Sequence, residues 1–134
     1  MAKYILADGE QLRTVKCVID TATVVAAGDL VAISSGLIIK AVAASAAIAF
    51  CPKGSADGET TCEVTVGNDF TLKGTLDAVF AVDYRGGEYD IEDTTQLIDL
   101  DASSTDVLKI EISENAGTVG STDDIRVRIN KPIF

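Results

Sequence analysis

The chain has 134 residues, the size of one domain, and its formal net charge is −10 because acidic residues outnumber basic ones. This acidity argues against sequence-independent nucleic-acid binding and against docking on an anionic membrane, since both depend on clustered basic residues. No apolar run reaches the roughly 20 residues needed to cross a bilayer. The absence of histidine removes Ser-His-Asp and Cys-His catalysis and histidine metal sites.

Residues 1–10 contain few turn signals and end at Asp8-Gly9-Glu10. We interpret them as an N-terminal arm, partly ordered at best in the isolated protein, that precedes a single β domain over residues 11–134. The first residues lack the long apolar core of a signal peptide, so we expect the protein to be made and kept in a cytoplasm. Three cysteines, each in an apolar run, fit that compartment as free, buried thiols: Cys17, Cys51 and Cys62.

The first part of the β domain contains alternating and β-branched runs. Leu12 to Asp20 alternates apolar and polar residues and predicts a half-buried strand. Two apolar runs then flank Ser34-Ser35-Gly36, which predicts a hairpin over residues 28–40. Ala41 to Ala49 has neither a helix cap nor a polar face, so we interpret it as a connection that leads into a strand from Ala47 to Cys51.

Two further hairpins are predicted in the centre of the chain, because each has strand-forming runs on both sides of a glycine-containing turn. They comprise Thr60–Val66 with Phe70–Leu76 around Gly67-Asn68-Asp69, and Val79–Tyr84 with Tyr89–Ile91 around Arg85-Gly86-Gly87.

The last third begins with an acidic stretch, residues 83–106, which has eight acids and Arg85 as its only base. A short strand or turn is predicted at Thr95 to Leu100. Two more alternating strands follow, one burying Leu108, Ile110 and Ile112, the other spanning Asp124 to Asn130. About ten short strands without a convincing helix predict an all-β fold, either a barrel or a sandwich.

We find no recognisable catalytic motif, and we expect no enzyme activity, no cofactor and no metal. Asp99 and Asp101 would share one face of a strand, which leaves a carboxylate pair as the only catalytic alternative. A calcium loop starting at Asp99 fails, because its sixth position is Ser104 rather than glycine and its twelfth is Ile110 rather than an acid. Another oxygen-ligand site in the acidic stretch stays open. The cysteine spacing does not support a zinc site.

Several short motifs, taken in order, resemble the decoration (cement, head-stabilising) proteins of tailed bacteriophages. They are Ala-Gly-Asp-Leu-Val at 27–31, Ser-Gly-Leu at 35–37, Gly-Glu at 58–59, Phe-Thr-Leu-Lys-Gly at 70–74, Val-Asp-Tyr-Arg-Gly at 82–86, Thr-Gln-Leu-Ile-Asp-Leu at 95–100 and Arg-Val-Arg-Ile-Asn-Lys-Pro-Ile-Phe at 126–134. The resemblance implies a small, β-tulip-like domain that is synthesised in the host cytoplasm. It also implies a homotrimer on the exterior of the virion, at threefold and quasi-threefold positions, that staples neighbouring copies of the major capsid protein.

On this reading the apolar part of the arm, Tyr4, Ile5 and Leu6, is predicted to contact the capsid by adding a strand to a neighbouring sheet. The alternative, that this apolar segment is a strand of its own domain, stays open. Two other classes stay open. A surface adhesin or carbohydrate-binding β-sandwich would present exposed aromatic side chains, and a carboxylate hydrolase would need a cleft with two close acids.

Overall fold

The computed structural model describes residues 3–9, 12–56 and 58–134. It contains eleven strands and one short 3-10 turn at Val82–Tyr84 within these ranges. The strands are β1 (Ile5–Asp8), β2 (Thr14–Val18), β3 (Asp29–Ser34), β4 (Leu37–Lys40), β5 (Ala49–Cys51), β6 (Thr61–Thr65), β7 (Thr71–Gly74), β8 (Glu88–Ile91), β9 (Ile98–Asp99), β10 (Leu108–Ile110) and β11 (Ile125–Ile129).

The strands form three antiparallel sheets. The largest has six strands in the order β1-β7-β11-β10-β8-β9, the second has the order β4-β3-β5, and the third pairs β2 with β6. Among these strands the sheets do not close into a barrel. The all-β prediction is therefore confirmed, and of its two forms the small sandwich-like domain is the one consistent with the sheets.

Two apolar clusters hold the sheets together. The larger joins the six-stranded sheet to β3 and β5 and includes Leu30, Phe50, Leu72 and Leu108. The smaller lies where the other two sheets meet and includes Val31, Ile38 and all three cysteines. Removal of this apolar surface from water is the main favourable contribution to folding.

In β11, apolar and basic residues alternate, and this alternation decides which side chains are buried. Ile125, Val127 and Ile129 are buried, whereas Arg126 and Arg128 lie on the opposite, outer face. The prediction for this strand is confirmed.

The hairpin predicted around Ser34-Ser35-Gly36 is also confirmed. Ser34 pairs with Leu37, which leaves a two-residue loop. Both loop residues have positive φ, 50° at Ser35 and 80° at Gly36. This backbone has the twist that tight hairpins favour, and glycine adopts it without a steric penalty.

The hairpin predicted at Thr60–Leu76 is wrong, although both of its strands form. β6 pairs with β2, whereas β7 lies between β1 and β11 in a different sheet. The turn after β6, with Gly67 at φ 73°, sends the chain from one sheet to the other. Alternation had identified the strands, but it carries no information about which strand is the partner.

The third predicted hairpin is wrong as well. Val82–Tyr84 forms a 3-10 turn in which the Arg85 amide donates to the Val82 carbonyl, and β8 pairs with β10 and β9 instead. Alternation predicted Phe80 and Val82 both to be buried; Phe80 is, but Val82 is 53% exposed because it lies in the 3-10 turn rather than in a strand. Ile112, predicted to be buried, is 78% exposed because β10 ends two residues earlier.

Candidate interaction surface

The N-terminal segment is an edge strand of the domain rather than a separate arm. Ile5 lies opposite Lys73 and Leu6 opposite Leu72, so β1 extends the six-stranded sheet. The Lys3 ammonium donates to the Thr94 carbonyl at 3.1 Å. Of the two alternatives for this segment, Ile5–Asp8 forms a strand of its own domain, while Met1, Ala2 and Glu10 lie outside the described residues.

Tyr4 anchors this strand in the larger core. It is only 1% exposed, and its hydroxyl donates to the Gln96 carbonyl at 2.8 Å. Its ring lies directly against Gly74, where a Cβ would collide with it. Burial raises the pKa of the Tyr4 hydroxyl. Tyr4 is thus a core residue, which corrects the expectation that it is available at the surface for a capsid contact.

Ile5 and Leu6 remain accessible at this edge. Cross-strand neighbours share a face, so Ile5 lies beside Lys73 on the outer face, and it is 52% exposed. Leu6 lies beside Leu72 at the margin of the core and is 37% exposed. Among the described strands β1 has a neighbour on one side only, and such an edge can accept another strand through its main-chain groups.

Gln96 ties the acidic stretch to the centre of the domain. Its amide accepts from the Leu30 amide at 3.0 Å and donates to the carbonyls of Leu30 and Ala41 at 2.8 and 2.9 Å. Because the buried amide of Gln96 makes three hydrogen bonds, its burial costs little free energy. Sequence reasoning missed this role, because a glutamine in a polar loop carries no sign of where its amide will lie.

Basic side chains gather on the outer face of the six-stranded sheet. Arg126 lies opposite Lys73, and Arg128 opposite Lys109, so four basic residues form two adjacent rows. Arg126 contacts Asp8 at 2.7 Å and Arg128 contacts Glu111 at 3.2 Å. Glu88, from the acidic stretch of residues 83–106, lies opposite Lys109 on the neighbouring strand. Acids therefore border the basic rows on this face of the sheet.

Asp90 is a buried acid with a structural role. Its carboxylate accepts the backbone amides of Ser104, Thr105 and Asp106 at 3.2, 2.8 and 2.8 Å. Burial acts to raise the pKa of Asp90, but these amide donors outweigh it and hold the pKa below its usual value. Asp90 thus fixes the loop that precedes β10.

A cluster of three carboxylates forms where Leu76 bridges Ile98. The carboxylate oxygens of Asp77, Asp99 and Asp101 approach one another within 4.8 Å. Partial burial, and then the nearby Asp99 carboxylate, raises the pKa of Asp77. Oxygen ligands of this kind suit hard divalent cations. The sequence paired Asp99 with Asp101 but missed Asp77, which only the tertiary structure brings to them.

The aromatic residues mostly lie inside. Tyr4, Phe50, Phe70 and Phe80 are buried, whereas Phe134 is exposed. Tyr84 and Tyr89 are half-buried and meet edge to face with ring centroids 6.3 Å apart. This distribution leaves few flat aromatic surfaces for a sugar ring.

Together, the fold and this surface define a small all-β domain with an exposed edge strand. Comparisons with protein-family models, with curated proteins and with solved structures found no match. Within the described residues, no helix is long and apolar enough to cross a membrane.

Proposed function

We propose that the chain is a structural virion protein: a homotrimer that binds the outer surface of the expanded phage head and staples neighbouring major capsid proteins. The proposal depends on the decoration-protein resemblance of the sequence motifs. The structural observation that supports the proposed contact is the exposed edge of β1, where Ile5 and Leu6 remain accessible.

The capsid contact is made by strand addition to this edge. An extended capsid segment pairs with β1 and gains main-chain hydrogen bonds of about 0.5–1.5 kcal/mol each. Ile5 and Leu6 lie on opposite faces of the strand and each contributes apolar contact on its own side. Tyr4 holds the edge in place from inside the core.

A trimer with three equivalent capsid contacts binds the head more tightly than a single protomer does. Once one protomer has docked, the other two bind at high effective concentration, and avidity exceeds single-site affinity by about 10²–10⁴-fold. This gain requires lattice positions at the correct spacing. The trimer therefore stabilises the expanded head, the state that it binds.

Exposed side chains of both charges allow a cyclic assembly. A closed threefold ring needs two different, complementary patches on each protomer. In this proposal the basic rows at Lys73, Arg126, Arg128 and Lys109 form one patch, and the exposed Asp83, Asp93 and Asp101 form the other. Such a contact weakens as salt screens it, so sedimentation should show the trimer dissociating as ionic strength rises. A monomer at every salt concentration would contradict a preformed trimer.

The decisive experiment measures binding to expanded heads, unexpanded heads and free capsid protein. We expect near-saturation of expanded heads only, and equal affinity for all three would refute the lattice-staple mechanism. Ile5→Asp places a charge on the proposed docking edge and should weaken head binding at least about tenfold, the effect of roughly 1.4 kcal/mol. Val18→Asp is the matched control, because Val18 is also 52% exposed but lies in the two-stranded sheet.

The alternative function, a surface adhesin or carbohydrate-binding module, depends on the Tyr84–Tyr89 pair as its aromatic platform. Binding of the protein to an immobilised glycan, lost in Tyr89→Ala and kept in Ile5→Asp, would favour that alternative over capsid decoration.

A further inference from the structure

Two segments outside the sheets, residues 79–87 and 111–122, pack against each other where β10 ends and β11 begins. The Phe80 amide donates to the Ser121 carbonyl at 2.8 Å, and the Gly120 amide donates to the Phe80 carbonyl at 3.0 Å. The ring of Phe80 is buried in the larger core. The two segments therefore form one surface that is fixed to the folded domain.

Large apolar side chains project from this surface into solvent. Ile112 is 78% exposed, the largest exposed fraction among the large apolar side chains that the structure describes. A Cβ at Gly86 would meet Ile112 Cγ2, so Ile112 lies against the other segment. Its three companions are each more than half exposed. We call this set the apolar patch, and it comprises Val79, Val82, Ile112 and Val119. Apolar side chains gathered at one surface mark an interaction site more often than single exposed ones do.

The accessible charge around the apolar patch is negative. Asp83 directly follows Val82, and Glu114 follows Ile112 by two residues; both acids are exposed. Arg85 is the only base in the two segments, and it is half-buried. Complementary charges orient the partners of an interface. A partner for this surface therefore needs accessible bases.

The chain itself carries such a base in the basic rows of the six-stranded sheet. Arg126 and Arg128 already contact acids of their own protomer. Lys73, by contrast, makes no ion pair within the part of the chain that the structure describes. Lys73 lies on β7, which is three strand spacings, about 14 Å, from β8 beside the patch. Lys73 and the apolar patch are thus separate surfaces of one protomer, and they can face each other only between two copies.

We propose that the apolar patch is the contact surface of the trimer and is covered by the Lys73 end of the basic rows of a second copy of this chain. This inference rests on the proposed trimer and names the side chains that form it. Because the two surfaces differ, the contact is head-to-tail, and a closed ring of three copies covers every patch. Removal of Val82 and Ile112 from water favours association, while Asp83 and Lys73 set the orientation.

Sedimentation equilibrium of the intact chain at constant ionic strength tests this surface. Ile112→Asp places a charge in the patch at a position outside the core, and it should weaken trimer association at least about tenfold. Val18→Asp is the matched control, because Val18 is also more than half exposed but lies in the two-stranded sheet. Asp83→Lys should weaken association as well, and adding Lys73→Asp to the same chain should restore it. Circular dichroism confirms that each variant is folded.

Each part of the proposal can be overturned separately. Trimers of Ile112→Asp as stable as those of the unsubstituted protein would remove the patch from the contact while leaving the proposed capsid function standing. A double variant no better than Asp83→Lys alone would refute the pairing with Lys73. Association that stops at a dimer would refute the head-to-tail arrangement. A protein that stays monomeric at every concentration would refute self-association through the patch, and its binding to expanded heads would then decide the proposed function independently.

Discussion

The anchoring of the N-terminal strand by Tyr4 gives the sharpest test of the fold. Tyr4→Ala removes a fully buried ring from the larger core and should lower the free energy of unfolding by about 3–5 kcal/mol. Tyr4→Phe keeps the ring but removes the hydroxyl that donates to the Gln96 carbonyl. A buried carbonyl left without its partner should cost about 1–3 kcal/mol.

Urea denaturation followed by circular dichroism measures both effects as shifts of the midpoint at constant slope. Ile5→Ala is the matched control on the same strand, because this exposed side chain should change stability by no more than about 0.5 kcal/mol. If Tyr4→Ala unfolds at the same urea concentration as the unsubstituted protein, Tyr4 does not belong to the core. Residues 3–8 would then be the free arm, the other alternative that the sequence left open.

Three further predictions concern the acids and the turn after β5. Asp90 has a lowered pKa in the folded protein, so its contribution is present above about pH 4 and is lost as pH falls through the folded-state value. Asp90→Asn should lower the free energy of unfolding at neutral pH and make that free energy depend less on pH in the acid range. A pH dependence parallel to that of the unsubstituted protein would contradict the role of the amide donors. Asp77 has a raised pKa, so its favourable contribution exists below about pH 4 and is lost as pH rises through the folded-state value. Asp77→Asn should therefore raise the unfolding temperature at neutral pH, and a lower one would argue against an unfavourable effect of carboxylate burial and of repulsion from Asp99. Gly54→Ala should lower the unfolding temperature by several degrees, since its Cβ would meet backbone at Ala27; an unchanged value would show that this turn relaxes easily.

Short-range features of the fold were readable from the sequence because they depend on neighbouring residues. The hairpin of β3 and β4 follows from two β-branched runs and a turn whose residues accept positive φ. The faces of β11 follow from strict alternation, which places Val127 inside and Arg128 outside. Both features are set by backbone geometry over a few residues.

Features that require distant partners were not readable. β6 and β7 were recognised as strands, yet β6 pairs with β2, whereas β7 pairs with β1 and β11. Strand pairing is decided by which apolar faces can be buried together, and that choice belongs to the whole chain. β1 shows this most clearly. The ring of Tyr4, which anchors β1, fits into the core only because Gly74 on β7 has no side chain.

The candidate sites divide in the same way. Composition alone excluded histidine chemistry and indicated an acidic protein with free thiols. Sequence reasoning also selected residues 4–6, but burial separates Tyr4 from the accessible Ile5 and Leu6. The approach of Asp77 to Asp99, and of Cys17 to Cys62, depends on register between segments far apart in the chain. Residue types thus determined which chemistry was available to this protein, whereas strand pairing decided which of those residues meet, because only the folded sheet brings distant side chains onto one face.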